Sequence, residues 1–373
     1  MSDHLVVPEL DFISSGPSGL VVGALIGLIL AVLVEDKLKS VRTRTYRRLR
    51  LMTRRRRQHV RRTSFSIGPL RTGCHLLEGD GEGVISEDAI SIIVNPRTIE
   101  LPDELAEWRS EIESAENAKR ANGERFTWNG QTYAIESFVA SRQYLDESPE
   151  IFIRLRPADY YSFSATQQLD RPFRDGTTPR TRYLEGVLPE DAPGFMACAF
   201  GTNMAVVTSD NKLIVSMRSS RVASFANLWS SSANEALSRS IDSQGRSAPN
   251  LYDVARRGLH EELALEPNEY TIDMLAFIIL TVEHQWGAAF IVRLKDLTAR
   301  EVEDRWTRGG PDMWEHSEHA FIDFDPRSVV EFILHPARVD HWTPQGPVVH
   351  YLAAANEFGR SRIEAEVRKA TSG

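Results

Sequence analysis

The chain has 373 residues, 42% of them hydrophobic and 26% charged, with a formal net charge of -8. These proportions exclude a wholly disordered, collagen-like or disulfide-stapled chain and allow about two domains. The charge is uneven. Residues 37–62 carry 13 Lys or Arg and no acid, so the other residues hold all 52 acidic groups against 31 of the 44 basic ones. A basic segment on an acidic body suits an anionic surface as the partner of that segment.

Residues 20–34, LVVGALIGLILAVLV, are apolar or glycine throughout, and the uncharged stretch runs back through Ile13 and Phe12. That length approaches the ~20 residues needed to cross a bilayer. The start of the chain is acidic and the bases follow the apolar run, the reverse of a cleaved signal peptide. The expectation is a transmembrane helix over residues 16–36, with residues 1–15 outside the cytoplasm. A basic flank stays on the cytoplasmic side, so the chain reads as a single-pass protein of the cell membrane with its later domains in the cytoplasm. Residues 37–62 also suit anionic membrane lipid, at ~1 kcal/mol per base. Nucleic acid is the rival partner for RRRRQHVRR, but beside an anchor the lipid reading takes precedence. Gly19, Gly23, Gly27 and Ala31 line small residues along one face, which lets two backbones approach and suits a homo-oligomer through this helix.

A linker is expected near residues 63–73, and a smaller α+β domain of unknown role over 74–196. Leu105, Trp108, Ile112 and Ala115 share one helical face, closed by Asn122-Gly123. RFTWNGQTYAIESF reads as two strands around Asn129-Gly130. Ile151, Ile153 and Leu155 alternate as in a strand, and Pro157 opens a helical ADYYSFSAT. Tyr160 and Tyr161 suit core packing better than stacking on a base. Cys74 and Cys198 lie far apart without metal-ligand spacing and suit two reduced thiols.

The pattern changes near residue 197. MAVVTSDNKLIVSMRSS is a hairpin turning at Asp210-Asn211. A polar stretch over 230–250 follows Trp229, and PNLYDVARRGLHEELAL then has Leu251, Val254 or Ala255, Leu259 and Leu263 at helical spacing. Arg257, Glu261 and Glu262 fall on other faces, and Pro249 suits the first turn. Two long apolar strands and helices near 326–334 and 347–357 follow, with a tail over 361–373.

The helix resembles the signature of the Nudix superfamily: Gly, five residues, Glu, seven residues, Arg-Glu, an aliphatic, any residue, Glu-Glu, any residue, Gly, an aliphatic. Arg257, Leu259, Glu261, Glu262 and Leu265 match. Gly258 replaces the first acid of the Arg-Glu pair, Ala264 a glycine, Pro249 the earlier Glu and Ser243 the first Gly, with Gly245 close by. The resemblance spans about residues 197–360. It implies an α+β chain with a Nudix-like α/β/α sandwich and mixed sheet, behind a smaller α+β domain and one transmembrane helix. It also implies Mg2+ or Mn2+ held by Glu261 and Glu262, with Arg257 orienting them and Glu315 as a later acid. Glu283, His284 and Glu235 are further candidates. Arg218 and Trp229, just ahead of the helix, are the expected ligand-binding residues.

Hard divalent ions want several oxygen ligands, and a diphosphate needs its charge neutralised before water attacks. The acid missing at 258 tilts the reading toward binding a nucleotide without efficient turnover, as a sensor coupled to the membrane helix. That arrangement is similar to membrane-anchored Nudix effectors of bacterial cyclic-oligonucleotide defence against phage. The alternative is an active Mg2+-dependent pyrophosphohydrolase acting on a nucleoside diphosphate derivative. A scaffold with a merely solvated Glu-Glu pair is the third reading.

Overall fold

The computed structural model describes residues 64–143, 148–222, 224–306 and 313–372. The expected membrane helix, with Gly19, Gly23, Gly27 and Ala31, and the basic segment 37–62 lie outside the described residues. No helix among the described residues is long and apolar enough to cross a membrane.

In chain order come β1 (Ser66–Ile67), β2 (Leu70–Arg71), β3 (Cys74–Glu78), β4 (Ile90–Val94), helix α1 (Asp103–Ala121), β5 (Gln131–Arg142), β6 (Pro149–Asp159) and α2 (Tyr160–Thr166). The second half holds β7 (Phe200–Val207), β8 (Lys212–Arg218), β9 (Trp229–Ser230), β10 (Ala233–Ala236), the short α3 (Arg239–Asp242), α4 (Leu251–Leu263), β11 (Tyr270–Leu280) and β12 (Gln285–Leu294). Helix α5 (Ala299–Trp306), β13 (His316–Asp323), α6 (Pro326–Leu334), α7 (Gly346–Phe358) and α8 (Arg360–Thr371) complete it. The architecture is α+β with mixed sheets. An eight-stranded sheet runs β13-β8-β7-β12-β11-β3, with β10 added to β7 and β9 to β8. Only β12 and β7 pair in parallel within it. A three-stranded sheet runs β4-β6-β5, with β4 parallel to β6.

Strand alternation divides the large sheet between two cores, because successive side chains point to opposite faces. Met204, Val206, Phe277, Ile279, Phe290 and Val292 join α4 in one core. Ala205, Val207, Ile278, Leu280, Ala289 and Ile291 join α6, α7 and α8 in the other. Helix α4 buries Leu251, Val254, Ala255, Leu259 and Leu263, the face that the spacing predicts. Asn250 caps it, accepting the Tyr252 amide at 2.8 Å, so Pro249 precedes the helix instead of opening it. The 210–211 hairpin is present, with Asn211 at φ 60°. Helix α1 also ends as expected, with Asn122 as its C-cap and Gly123 at φ 73°.

Several expectations are corrected. The hairpin predicted at Asn129-Gly130 is absent; β5 starts after it and pairs with β6 instead. Asn129 is occupied otherwise, since its side-chain oxygen accepts the Tyr161 amide at 3.0 Å and its amide donates to Asp159 at 3.3 Å. Pro157 stays in β6, and Asp159 caps α2. The linker near 63–73 contains the β1–β2 pair, and residues 74–78 form an edge strand of the large sheet against β11. The tail over 361–373 is mostly helix α8, which buries Ile363.

The region before residue 197 is not packed by itself. Tyr133, Ile135, Ile151, Ile153 and Leu155 of the small sheet belong to the same core as α4. Phe138 meets Phe277 and Trp286, with ring centroids 5.1 and 5.5 Å apart. The Tyr252 hydroxyl donates to the Ile85 carbonyl at 2.6 Å and accepts from the Met274 amide at 3.1 Å. Both cysteines are free and buried.

Candidate functional site

Strand β10 runs antiparallel to β7, with Glu235 opposite Thr202, and α4 packs across it. The approach is close at Gly258. A Cβ there would lie 2.6 Å from the Glu235 Cβ and 3.0 Å from the Met204 Cε. The glycine therefore serves the packing of β10 against the helix, which offsets its poor helix propensity. The same contact brings Glu235 beside Glu261 and Glu262, so a third carboxyl enters from a strand.

Arg257 gathers these groups. Its guanidinium donates to Asp242 at 3.0 and 3.1 Å and to the Ala236 carbonyl at 2.9 Å. One of its nitrogens lies 3.0 Å from Glu235 and 3.2 Å from Glu261. Burial works against the charge on Arg257, but Asp242, Glu235 and Glu261 outweigh it and raise its pKa. Burial pushes the Glu235 carboxyl up to about 9; Arg257 opposes the rise, while Glu262 and Glu261 add to it. The Glu235 carboxyl is thus held above the usual carboxylate range despite its cationic neighbour.

Glu262 points inward and is 3% exposed. One of its oxygens accepts the Asn234 amide at 3.0 Å, and the other meets the His316 Nε2 at 2.6 Å. Burial and Arg218 push the His316 imidazole down to about 4, against an opposing pull from Glu315. His316 faces Glu262 through Nε2, with Nδ1 on the other side of the ring. That Nδ1 has no hydrogen-bond partner among the described residues. His319 continues the polar wall. Its Nδ1 pairs with the Ser216 hydroxyl at 3.0 Å, and Trp306 lies over its ring at 4.1 Å.

The predicted residues separate into groups. Arg257, Glu261 and Glu262 meet, and Glu235 joins them. Glu315 sits on the turn before β13, where its carbonyl accepts the Ser219 amide at 2.7 Å. Arg218 ends β8, donates from Nε to the Ser224 carbonyl at 3.1 Å, and lies near enough to Glu283 and His316 to affect both. Trp229 belongs to the core on the opposite face, edge-on to Phe332 at 5.4 Å. Glu283 and His284 occupy the turn between β11 and β12, where burial raises the Glu283 pKa and pushes His284 down to about 4. Asn234, Asp242, His316 and His319 were missed. They lie in polar stretches without periodicity, and only pairing in space reveals them.

The fit to a divalent ion can be judged from the same contacts. Arg257 stands against Glu235 and Glu261, and Glu262 is held by Asn234 and His316. Among the described residues, no group of three or more His, Cys, Asp or Glu could hold a metal ion. As arranged, Glu261 is engaged by Arg257, and Glu262 by Asn234 and His316.

No family model matches the chain, and no curated protein matches it in sequence. Among solved structures the chain is similar to DR0079 from Deinococcus radiodurans, at 15% identity over 37% of this chain and 74% of that one, with a TM-score of 0.26.

Proposed function

We propose that the part of the chain after residue 62 binds a nucleotide of the nucleoside-diphosphate type without efficient turnover, and that residues 16–36 anchor it to the cell membrane. In this reading the domain is of Nudix type, and ligand binding is coupled to the membrane helix. The observation that carries it is the occupation of all three carboxyls. Glu235 and Glu261 lie on Arg257, burial raises the pKa of Glu235, and Glu262 is bound to His316 and Asn234. Carboxyls held this way suit a fixed binding wall better than a hydrolytic centre, which needs them free to hold a cation.

One feature favours a second reading. Glu235 occupies the space beside Gly258, so a third carboxyl is present after all. Hydrolysis of a nucleoside diphosphate derivative with Mg2+ or Mn2+ would require Arg257 to release Glu235 and Glu261. When bound, such an ion neutralises phosphate charge.

Isothermal calorimetry of the full-length chain with ADP and ADP-ribose, with and without Mg2+, separates the two, provided the mixtures are then assayed for product. Heat with the nucleotide recovered intact is the expected result. Product lost in Glu262→Gln would establish the second reading. No heat with either nucleotide would overturn both.

A further inference from the structure

The segment between α1 and β5, residues 122–130, carries two aromatic rings that the fold leaves uncovered. Trp128 is 67% exposed and Phe126 is 41% exposed. Thr127, between them, is held from the inside. Its amide donates to the buried Glu116 carboxylate at 2.6 Å, and its carbonyl accepts the Tyr161 hydroxyl at 2.9 Å. Asn129 is bound to Tyr161 and Asp159, and the Gly130 carbonyl accepts the Tyr160 amide at 2.8 Å. Where one residue of an extended stretch turns inward, its two neighbours point outward together. Both rings therefore stand on a backbone fastened at Thr127, Asn129 and Gly130.

The charge beside the rings is positive. Residues 117–130 hold three bases, Lys119, Arg120 and Arg125, against one acid, Glu124. Glu116 neutralises Lys119 at 2.6 Å. The Arg120 guanidinium lies 5.6 Å from the centre of the Phe126 ring, and Arg125 donates to an uncharged acceptor, the Arg221 carbonyl.

Exposed tryptophan and phenylalanine beside arginine are suited to the boundary of a bilayer. The indole places its apolar body among acyl chains and its N–H among headgroups, while guanidinium groups meet anionic lipid. Protein partners use the same residue types. An anchor at residues 16–36 decides between them, because it holds the body beside a bilayer and gives that surface the highest effective concentration.

We propose that Phe126 and Trp128 insert shallowly into the bilayer surface, with Arg120 and Arg125 on anionic headgroups, as a second hold on the membrane from the folded body. This rests on the anchored reading above and is independent of what the carboxyl cluster binds.

The seven tryptophans lie between residues 108 and 342, so their emission reports the body and not the anchor. The full-length chain is reconstituted into vesicles with brominated acyl chains, which quench rings that reach them, at a low and a high content of anionic lipid, and the vesicles are floated. The wild type is expected to float with its emission quenched. Trp128→Phe loses most of the quenching and Phe126→Ser weakens it, both melting at the wild-type temperature. Quenching rises with anionic lipid, and Arg120→Gln blunts that rise. A chain that floats with unquenched emission would overturn the insertion and leave the anchor standing, as would quenching unchanged in Trp128→Phe. A blue shift that needs no lipid, grows with protein concentration and disappears in Trp128→Phe would give the rings to a second copy and overturn the bilayer as their partner. A chain that stays out of the vesicles would overturn the anchored reading and the insertion with it.

Discussion

Glu235 stands where a side chain on residue 258 would have to grow. A Cβ at Gly258 meets the Glu235 Cβ at 2.6 Å, and a Cβ cannot swing aside as the end of a long chain can. Gly258→Ala gains ~1 kcal/mol of helix propensity. Overpacking typically costs about 1–3 kcal/mol, and the rigid contact places this site toward the upper end. The expected result is a net loss of about 1–2 kcal/mol in urea unfolding. In a Glu235→Gly background the same exchange is expected to be neutral or stabilising. A double-mutant cycle with no coupling between the two positions would show that the contact is not what keeps residue 258 a glycine.

The Glu235 carboxyl, pushed up to about 9, gives folding a definite pH dependence. It binds its proton in the native state over a range where the unfolded chain has lost it. Stability therefore falls as pH rises from the ordinary glutamate pKa of ~4.3. The decline ends as pH passes about 9, above which both states are ionised. Glu235→Gln removes this dependence. Urea midpoints measured at the two ends of that window are expected to lie closer together in the variant than in the wild type. Parallel pH profiles for the two proteins would refute the assignment.

Ala264 closes α4 in the left-handed region, at φ 54° and ψ 38°, where its amide bonds back to the His260 carbonyl. An alanine pays a steric cost there that glycine avoids. Glycine gives back part of the gain through its freer unfolded chain. Ala264→Gly is expected to stabilise the fold by about 0.5–1 kcal/mol, read as a higher urea midpoint at unchanged slope. A lower midpoint would mean that the alanine methyl makes packing contacts worth more than the strain.

The elements with strong periodicity were legible. The spacing of Leu251, Leu259 and Leu263 identifies both α4 and its buried face, and Asp210-Asn211 marks its hairpin. Asn129-Gly130 misled because a turn and a helix cap use the same side-chain chemistry, and here Asn129 serves the start of α2. At the candidate site, Arg257, Glu261 and Glu262 were readable because they share one helix. Glu235 and His316 reach them from strands remote in sequence, within stretches that carry no pattern of their own. The reason for a glycine at 258 lies in the neighbouring strand, which approaches it closely.

The hydroxyl of Tyr252 joins the Ile85 carbonyl to the Met274 amide, and Phe138 lies across Phe277 and Trp286. The two halves of this region are therefore expected to melt as one cooperative unit. Cutting the chain near residue 197 to isolate the glutamate-bearing half would leave aromatic surface bare and the buried Tyr252 hydroxyl without its acceptor. It would yield an aggregating fragment in place of a working module. Conversely, α4 is fastened directly to residues 85 and 87, through Tyr252 on the Ile85 carbonyl and through Asn250 and Arg256 on Glu87.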